Sequence, residues 1–312
     1  LPDQIAPRLG VGQGVHTHQL LKAGELALER LLPGITQDFI AAGGAHVEIN
    51  DVTTQWGVFA LAGPNARKIL REIVKDADAD TVLSQITPAT RLIIINSPAN
   101  PTGGVTPKAE IDELVAGLAK HPHVALLSDE IYSQMLYGGR EHVSLLNYPE
   151  IRDRLILLDG WSKTYAMTGW RLGFAVWPKS LVSEVTRLCI NDHSCVNASA
   201  QYAGLAALTG PQDAVAEMMV AFNQRRTLIV DALNSLPGVR CADAAGAFYA
   251  FPNISGTGMT AREAQDLFLN KANVATVSGT SFGAWGEGFV RFSYANSAEN
   301  IERAIDRIRK VL

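Results

Sequence analysis

The sequence predicts an α/β protein, in which a larger domain with a mostly parallel sheet precedes a smaller C-terminal α+β domain. Two observations carry this prediction. From about Thr87 onward, strand patterns alternate with helix patterns, as is typical of parallel sheets covered by helices. After Pro237 the pattern changes to short strands and two helices. We therefore expect a non-matching N-terminal segment over 1–83, a large domain over 84–236 and a small domain over 237–312.

The bulk composition narrows the class of protein. The chain has 312 residues, of which 47% are hydrophobic and 19% charged, and its net charge is −4. This charge gives no reason to expect nucleic acid or a membrane surface as partner, and no apolar run reaches the length of a membrane span. The three cysteines form no CxxC pair, which argues against a disulfide framework. A cytoplasmic location is the simplest expectation.

Three apolar runs in the middle of the chain are predicted to be buried strands. They are RLIIIN (91–96), VALLSD (124–129) and RLILLD (154–159), and continuous runs of this length before turn residues are typical of strands covered on both faces. A helix is predicted to begin after the first run, with Thr106 as N-cap and Pro107 in its first turn. Its apolar residues share one face: Ile111, Leu114, Val115 and Leu118.

The remaining elements are predicted in order from the same periodicities. WRLGFAV (170–176) is a further strand, and helices are expected around 179–190, 197–209 and 211–235. The small domain has the short strands FYAF, NVATV and FVRFSYA with helices at 260–271 and 297–311. The N-terminal segment is predicted to contain helices between His18 and Ala42, a strand and turn at 55–64 and a helix at 65–74.

Polar motifs follow the predicted strands, at the edge where open α/β sheets bind their ligands. They are NSPANPTGG (96–104), SDEIY (128–132) and GWSKTYAMTGWRLG (160–173), with VRFSYA (290–295) in the small domain. An enzyme that uses pyridoxal phosphate needs a lysine that bonds to the cofactor and a carboxylate that faces the pyridine nitrogen. It also needs groups on the phenolic oxygen and the phosphate, and usually an arginine for the substrate carboxylate. The four motifs contain candidates for nearly all of these groups.

These motifs, in this order, resemble the fold-type-I class I/II aminotransferases, the aspartate-aminotransferase-like family. The resemblance runs from about Thr87 to Leu312 and includes GAFYAFP (246–252) and GTSFG (279–283). It implies a PLP-transferase-like large domain, pyridoxal 5'-phosphate as cofactor, and an amino acid and a 2-oxo acid as substrates. It also suggests a homodimer.

For the ring end of the cofactor, the resemblance implies the following roles. Lys163 would carry the cofactor and move the proton of the substrate Cα as general base and acid. Asp129 would pair with the pyridine nitrogen and keep it protonated. Asn100 and Tyr132 would hydrogen-bond the phenolic oxygen.

For the phosphate and the substrate, the resemblance implies three further residues. Arg171 would bind the cofactor phosphate, with Ser162 as a second candidate for that task. Arg291 would grip the α-carboxylate through a bidentate fork that a lysine does not offer, with Asn100 beside it.

Each of these residues has an ordinary structural interpretation when it is taken alone. An isolated Ser-Lys pair is usually on the surface, an Asn-Pro-Thr-Gly segment is most often a turn, and Arg291 suits a structural ion pair. The joint pattern favours the functional interpretation because the residues have complementary roles in one site.

The segment before Asn96 does not continue the resemblance. It lacks a small-residue phosphate loop, and Trp56 is at a loosely suitable distance for a stacking ring but in unlike surroundings. Residues 5–50 weakly resemble an early segment of flavin-dependent oxidoreductases. Residues 51–83 resemble a piece of the domain found in glycine-cleavage T proteins and dimethylglycine dehydrogenases. The aminotransferase large domain is therefore expected to be truncated.

Two alternatives stay open at this point. One is an aminotransferase-like remnant or composite chain that binds cofactor weakly or not at all. The other is a flavin- or folate-linked function in the N-terminal third, which lacks the glycine fingerprint of dinucleotide sites.

Overall fold

The computed structural model describes residues 59–61 and 79–312. The predicted helices between 18 and 42 and at 65–74, and Trp56, lie outside the described residues. The first sheet has five strands in chain order: β1 (Phe59–Leu61), β2 (Leu92–Asn96), β3 (Ala125–Asp129), β4 (Leu155–Gly160) and β5 (Gly173–Val176).

The sheet is mostly parallel, as predicted. Strands β1 to β4 pair in parallel, and β5 adds to β4 in the antiparallel direction. Asn96 and Asp129 are register partners at the ends of β2 and β3. Parallel strands present their carboxyl ends on one edge, so the motifs that follow β2, β3 and β4 meet there.

Helices cover the apolar strands. After α1 (Ala79–Ser84), helix α2 (Lys108–Leu118) buries all four residues of its predicted apolar face. They share a core with Ile93, Ile95 and Leu126. The predicted N-cap is wrong by one residue, because Pro107 occupies that position without a side-chain cap. The backbone N–H of Thr106 donates instead to Ser97 Oγ at 2.9 Å, which holds Thr106 in the preceding loop.

The short helix α3 (Trp161–Thr164) connects β4 to β5. Three α-helices then link the first sheet to the second: α4 (Val182–Asp192), α5 (Ala198–Thr209) and α6 (Asp213–Asn234). The remaining elements are β6 (Tyr249–Ala250), α7 (Ala261–Ala272), β7 (Val277–Ser278), β8 (Val290–Ser293) and α8 (Ala298–Arg309). The second sheet has the order β6-β8-β7 and is antiparallel. The strand predicted at NVATV is shorter than expected, because Asn273 ends α7 with a left-handed backbone (φ 54°).

One hydrophobic core joins α6 to the C-terminal elements. Phe222, Ile229 and Leu233 of α6 pack in the same cluster as Phe292 of β8 and Ile305 of α8. The helix before the predicted boundary at 236/237 therefore shares its core with the strands after it. The same cluster contains Tyr132, Met135 and Tyr137 from the segment after β3. This packing fixes β8 opposite the carboxyl edge of the first sheet.

Candidate active site

Asn96 organises the loop that follows β2. Its Oδ1 accepts a 2.7 Å hydrogen bond from the backbone N–H of Asn100, and its Nδ2 donates to the backbone carbonyl of Asp129 at 3.2 Å. One side chain thus ties the Asn-Pro-Thr-Gly loop to the end of β3. Asn96 has no role among the expectations from the sequence, although it stands first in that motif.

Asp129 ends β3 with a half-buried carboxylate. Its Oδ1 accepts a long hydrogen bond of 3.4 Å from the backbone N–H of Ile131. Burial raises the pKa of Asp129 above its ordinary value of 3.8, and the negative charge of Glu130 adds to this effect. The Ile131 N–H and the nearby Lys163 ammonium oppose it. A cationic group brought against Asp129 would favour its ionised form.

Lys163 lies in α3, directly after β4. Its Nζ is 5.5 Å from the ring centroid of Phe248 and 5.9 Å from that of Tyr132. Within the described part of the chain, this amine has no hydrogen-bond or ion-pair partner. It lies near two aromatic rings and close enough to Asp129 for its charge to lower the pKa of that carboxyl group.

Tyr132, after β3, and Tyr249, in β6, join the two sheets through their hydroxyl groups, which are 2.7 Å apart. Both rings are buried. Burial raises the pKa of Tyr132, and its hydrogen bond with Tyr249 acts in the same direction. Tyr132 is therefore a neutral phenol that can donate a hydrogen bond at physiological pH.

Arg291 reaches the same place from β8. Its Nη1 donates a 2.7 Å hydrogen bond to Asn100 Oδ1. Its guanidinium carbon lies 4.6 Å from the ring centroid of Tyr249 and 5.1 Å from that of Phe282, so the group lies over two aromatic rings. Among the described residues, its buried Nε has no hydrogen-bond partner. A buried N–H without a partner is costly, and a carboxylate is the acceptor that suits it.

Among the described residues, no side-chain hydrogen bond or ion pair joins Arg171 or Ser162 to the other predicted site residues. Arg171 has a left-handed backbone (φ 54°), an exposed side chain and a 3.0 Å hydrogen bond from Nη1 to the carbonyl of Thr168. It lines an 880 Å³ cavity with Trp170 and Asn197, in which neither Lys163 nor Asp129 takes part. The Ser162 carbonyl accepts a 2.9 Å hydrogen bond from Thr168 Oγ1.

The structure thus brings five of the predicted residues into one neighbourhood: Asn100, Asp129, Tyr132, Lys163 and Arg291. Sequence reasoning missed the aromatic side chains that line it. Phe248 and Tyr249 belong to GAFYAFP and Phe282 to GTSFG. These motifs carried part of the resemblance, but nothing in their spacing indicates which partner each ring contacts.

The described residues contain neither a helix suited to a membrane nor a cluster suited to a metal ion. No helix in residues 79–312 combines the length and the apolar character that crossing a membrane requires. No group of three or more His, Cys, Asp or Glu side chains in the described ranges is arranged to hold a metal ion.

Comparison with known sequences places these motifs in a family. The profile of the family described as aminotransferase class I and II matches residues 67–308. This range includes 67–83, which the sequence analysis grouped with the N-terminal segment. Over 237 residues the chain is 40% identical to an aspartate aminotransferase of Pyrococcus horikoshii, covering 75% of this chain and 60% of that protein.

Further relatives give the same picture. An aromatic-amino-acid aminotransferase 2 of Thermococcus litoralis is 40% identical over 235 residues, covering 75% of this chain and 60% of that protein. The chain thus spans about 60% of the length of the curated relatives that it matches.

Solved structures agree with the sequence comparison. The aspartate aminotransferase from Rhizobium meliloti superposes with a TM-score of 0.73 at 29% identity, covering 94% of this chain and 81% of that one. The aromatic aminotransferase from Pyrococcus horikoshii gives a TM-score of 0.72 at 29% identity, covering 94% of this chain and 93% of that one.

Proposed function

The chain belongs to the aminotransferase class I and II family, and from that premise we propose that it moves an amino group between an L-amino acid and a 2-oxo acid with pyridoxal phosphate as its cofactor. One observation carries the proposal. A lysine amine, a half-buried carboxylate, a buried phenol and a half-buried guanidinium from separate parts of the chain form one neighbourhood.

The side chains of Asp129, Lys163 and Tyr132 suit the ring of this cofactor. Asp129 is a carboxylic acid near Lys163, and burial disfavours the ionised form of Asp129. A protonated pyridine nitrogen would supply the missing positive charge. The Lys163 amine has no hydrogen bond within the described residues, so it is free to bond to an aldehyde. Tyr132 supplies a neutral phenol for an oxygen acceptor.

Each residue would then perform a definite task. Bound pyridoxal phosphate supplies an electron sink for the pair of electrons left when the substrate Cα loses its proton. Lys163 Nζ would hold the cofactor and afterwards take and return that proton. Asp129 would keep the ring nitrogen charged, and Tyr132 and Asn100 would donate to the phenolic oxygen. Arg171 and Ser162 would hold the phosphate.

Arg291 would bind the substrate through its unoccupied edge. Because Nη1 already donates to Asn100 Oδ1 and Nε has no partner, the edge formed by Nε and Nη2 suits a bidentate carboxylate. The adjacent rings of Tyr249 and Phe282 limit the orientations that the guanidinium can adopt. A pre-oriented fork loses less entropy when the substrate binds.

A second candidate is a protein of the same family with weak or no cofactor binding. One observation favours it. Arg171, the expected phosphate ligand, lines a cavity to which Lys163 does not contribute.

Cofactor titration separates the two candidates. Pyridoxal phosphate added to the full chain should give an imine absorbance near the edge of the visible range. Lys163→Ala should abolish this absorbance, whereas Lys120→Ala, which replaces an exposed lysine, should keep it. An absorbance that is unchanged in Lys163→Ala contradicts the aminotransferase proposal. If the wild-type chain shows the lysine-dependent signal, a panel of amino donors against 2-oxo acids identifies the substrate.

The cytoplasmic location stays a prediction from the sequence. The proposal also includes the pairing of two copies of this chain. Helix α5 has no charged residue and exposes 77% of Tyr202, 57% of Leu205 and 55% of Leu208. An apolar helix face of this kind suits a symmetric contact. Light scattering should find a dimer that Leu205→Lys converts to a monomer. A wild-type monomer contradicts the pairing.

A further inference from the structure

Glu130, the residue after Asp129, has a buried carboxylate to which none of the proposed tasks is assigned. Its side chain is 6% exposed, and its Oε2 lies 2.7 Å from His142 Nε2. The other oxygen has three donors within reach: Ser128 Oγ at 2.9 Å, the Leu145 N–H at 3.1 Å and Ser144 Oγ at 3.2 Å. Such a set of donors stabilises a negative charge in the protein interior.

This carboxylate is fixed at the edge of the sheet where the candidate site lies. The backbone N–H of Glu130 donates to the carbonyl of Leu158 in β4 at 2.9 Å. His142 and Ser144 come from the loop after Tyr137, so their bonds to Glu130 tie that loop to the end of β3. A change in Glu130 would therefore be transmitted directly to Asp129.

The charges around Glu130 define its electrostatic effect. Burial raises the pKa of Asp129 at the end of β3 and of Asp159 in β4, and the negative charge of Glu130 adds to the effect on both carboxyl groups. His142 opposes it at Asp159, and Lys163 opposes it at Asp129.

We propose that Glu130 and His142 form a positioning pair for the candidate active site, which fixes the end of β3 and sets the net charge beside Asp129. With His142 protonated, the pair is neutral. Replacing His142 leaves the negative charge of Glu130 uncompensated next to Asp129. Replacing Glu130 removes that negative charge from the pair. The inference rests on the proposed function only in that Asp129 is taken to hold the cofactor ring nitrogen.

The two partners should therefore act on Asp129 with opposite signs. At Asp159, His142 acts as a positive charge and Glu130 as a negative one. By the same signs, His142→Gln makes the surroundings of Asp129 more negative, and Glu130→Gln makes them less negative. Ionised Asp129 is disfavoured in the first variant and favoured in the second.

The direct test is a ¹³C NMR titration of the Asp129 side-chain carboxyl in the full chain without cofactor. We expect its midpoint to rise by about half to one pH unit in His142→Gln and to fall by a similar amount in Glu130→Gln. His123→Gln, which changes an exposed histidine, should leave it unchanged. Cofactor retention, measured by the Lys163-dependent absorbance against pH, should shift in the same directions.

The outcomes distinguish this inference from the proposed function. Midpoint shifts of opposite sign support it, even if pyridoxal phosphate does not bind. Shifts of the same sign, or none, overturn it, because a purely structural pair would give no reversal. If Glu130→Gln does not fold, His142→Gln decides alone, and an unchanged Asp129 midpoint in that variant overturns the inference.

Discussion

Arg291 Nη1 donates a 2.7 Å hydrogen bond to Asn100 Oδ1, although the two residues are 191 positions apart in the chain. Asn100 is itself held by Asn96 at the end of β2. The guanidinium in the small sheet is thus aligned with the carboxyl edge of the large one. This contact makes the orientation of Arg291 depend on the loop after β2 as well as on its own strand.

Arg291→Lys should raise the KM for both the amino acid and the 2-oxo acid. The ammonium cannot keep the bond to Asn100 and also offer two parallel donors to a carboxylate. The loss of a charged hydrogen bond corresponds to about a 10- to 100-fold decrease in kcat/KM. Steady-state kinetics of the cofactor-loaded protein measure this decrease in kcat/KM. The matched control is Arg303→Lys on the exposed side of α8, and equal KM values in the two variants would contradict the role of Arg291.

The hydroxyl pair of Tyr132 and Tyr249 should show coupling in unfolding experiments. Tyr249→Phe leaves the buried Tyr132 hydroxyl without its 2.7 Å partner, which costs about 1–3 kcal/mol. Tyr132→Phe has the corresponding effect on Tyr249. The double variant removes both hydroxyls, so its free energy of unfolding should decrease by less than the sum of the single effects. Urea denaturation of the four proteins gives the coupling, and strict additivity would show that the hydroxyls act independently.

Much of this site could be predicted from the sequence because its residues stand at strand ends. Lys163, Asp129 and Asn100 follow continuous apolar runs, and the carboxyl ends of neighbouring parallel strands must meet. The partners of Arg291 could not be predicted in this way. Tyr249 and Phe282 reach it through the packing of β6, β8 and the loop after β7, and side-chain periodicity carries no information on such contacts. The αL backbone and exposed side chain of Arg171 are likewise a property of the folded turn.

The ionisation of Asp129 should lower the stability of the chain without cofactor. Its pKa is raised above 3.8 in the folded state, chiefly by burial. As the pH rises through that range, the unfolded chain releases this proton first, so the free energy of unfolding decreases. Asp129→Asn should therefore stabilise the cofactor-free protein at pH 7 and have a smaller effect near pH 3.8. Denaturant unfolding at the two pH values measures this difference. An equal effect at both pH values would mean that ionisation of Asp129 is not its source.

A methyl group on Gly160 should disturb the turn that presents Lys163. An added Cβ would lie 2.8 Å from the Cα of Gly173 and 2.9 Å from the carbonyl oxygen of Leu172, both of which are backbone atoms. Because backbone cannot yield as a side-chain end can, Gly160→Ala should push β4 and β5 apart, at a cost of about 1–3 kcal/mol. The displacement begins at the residue that precedes α3, so the Lys163-dependent absorbance should weaken as well.

Gly169→Ala is the matched control for this prediction, since no atom lies within 4 Å of its added Cβ. Its free energy of unfolding should stay within about 0.5 kcal/mol of the wild-type value, the range for substitutions away from packed features. Thermal or urea unfolding compares the two variants directly. If Gly160→Ala were as stable as Gly169→Ala, the close approach of β4 and β5 would not be what fixes the start of α3. The position of Lys163 would then have to depend on contacts made by its own helix, such as the bond from Trp161 Nε1 to the Gly204 carbonyl at 2.9 Å.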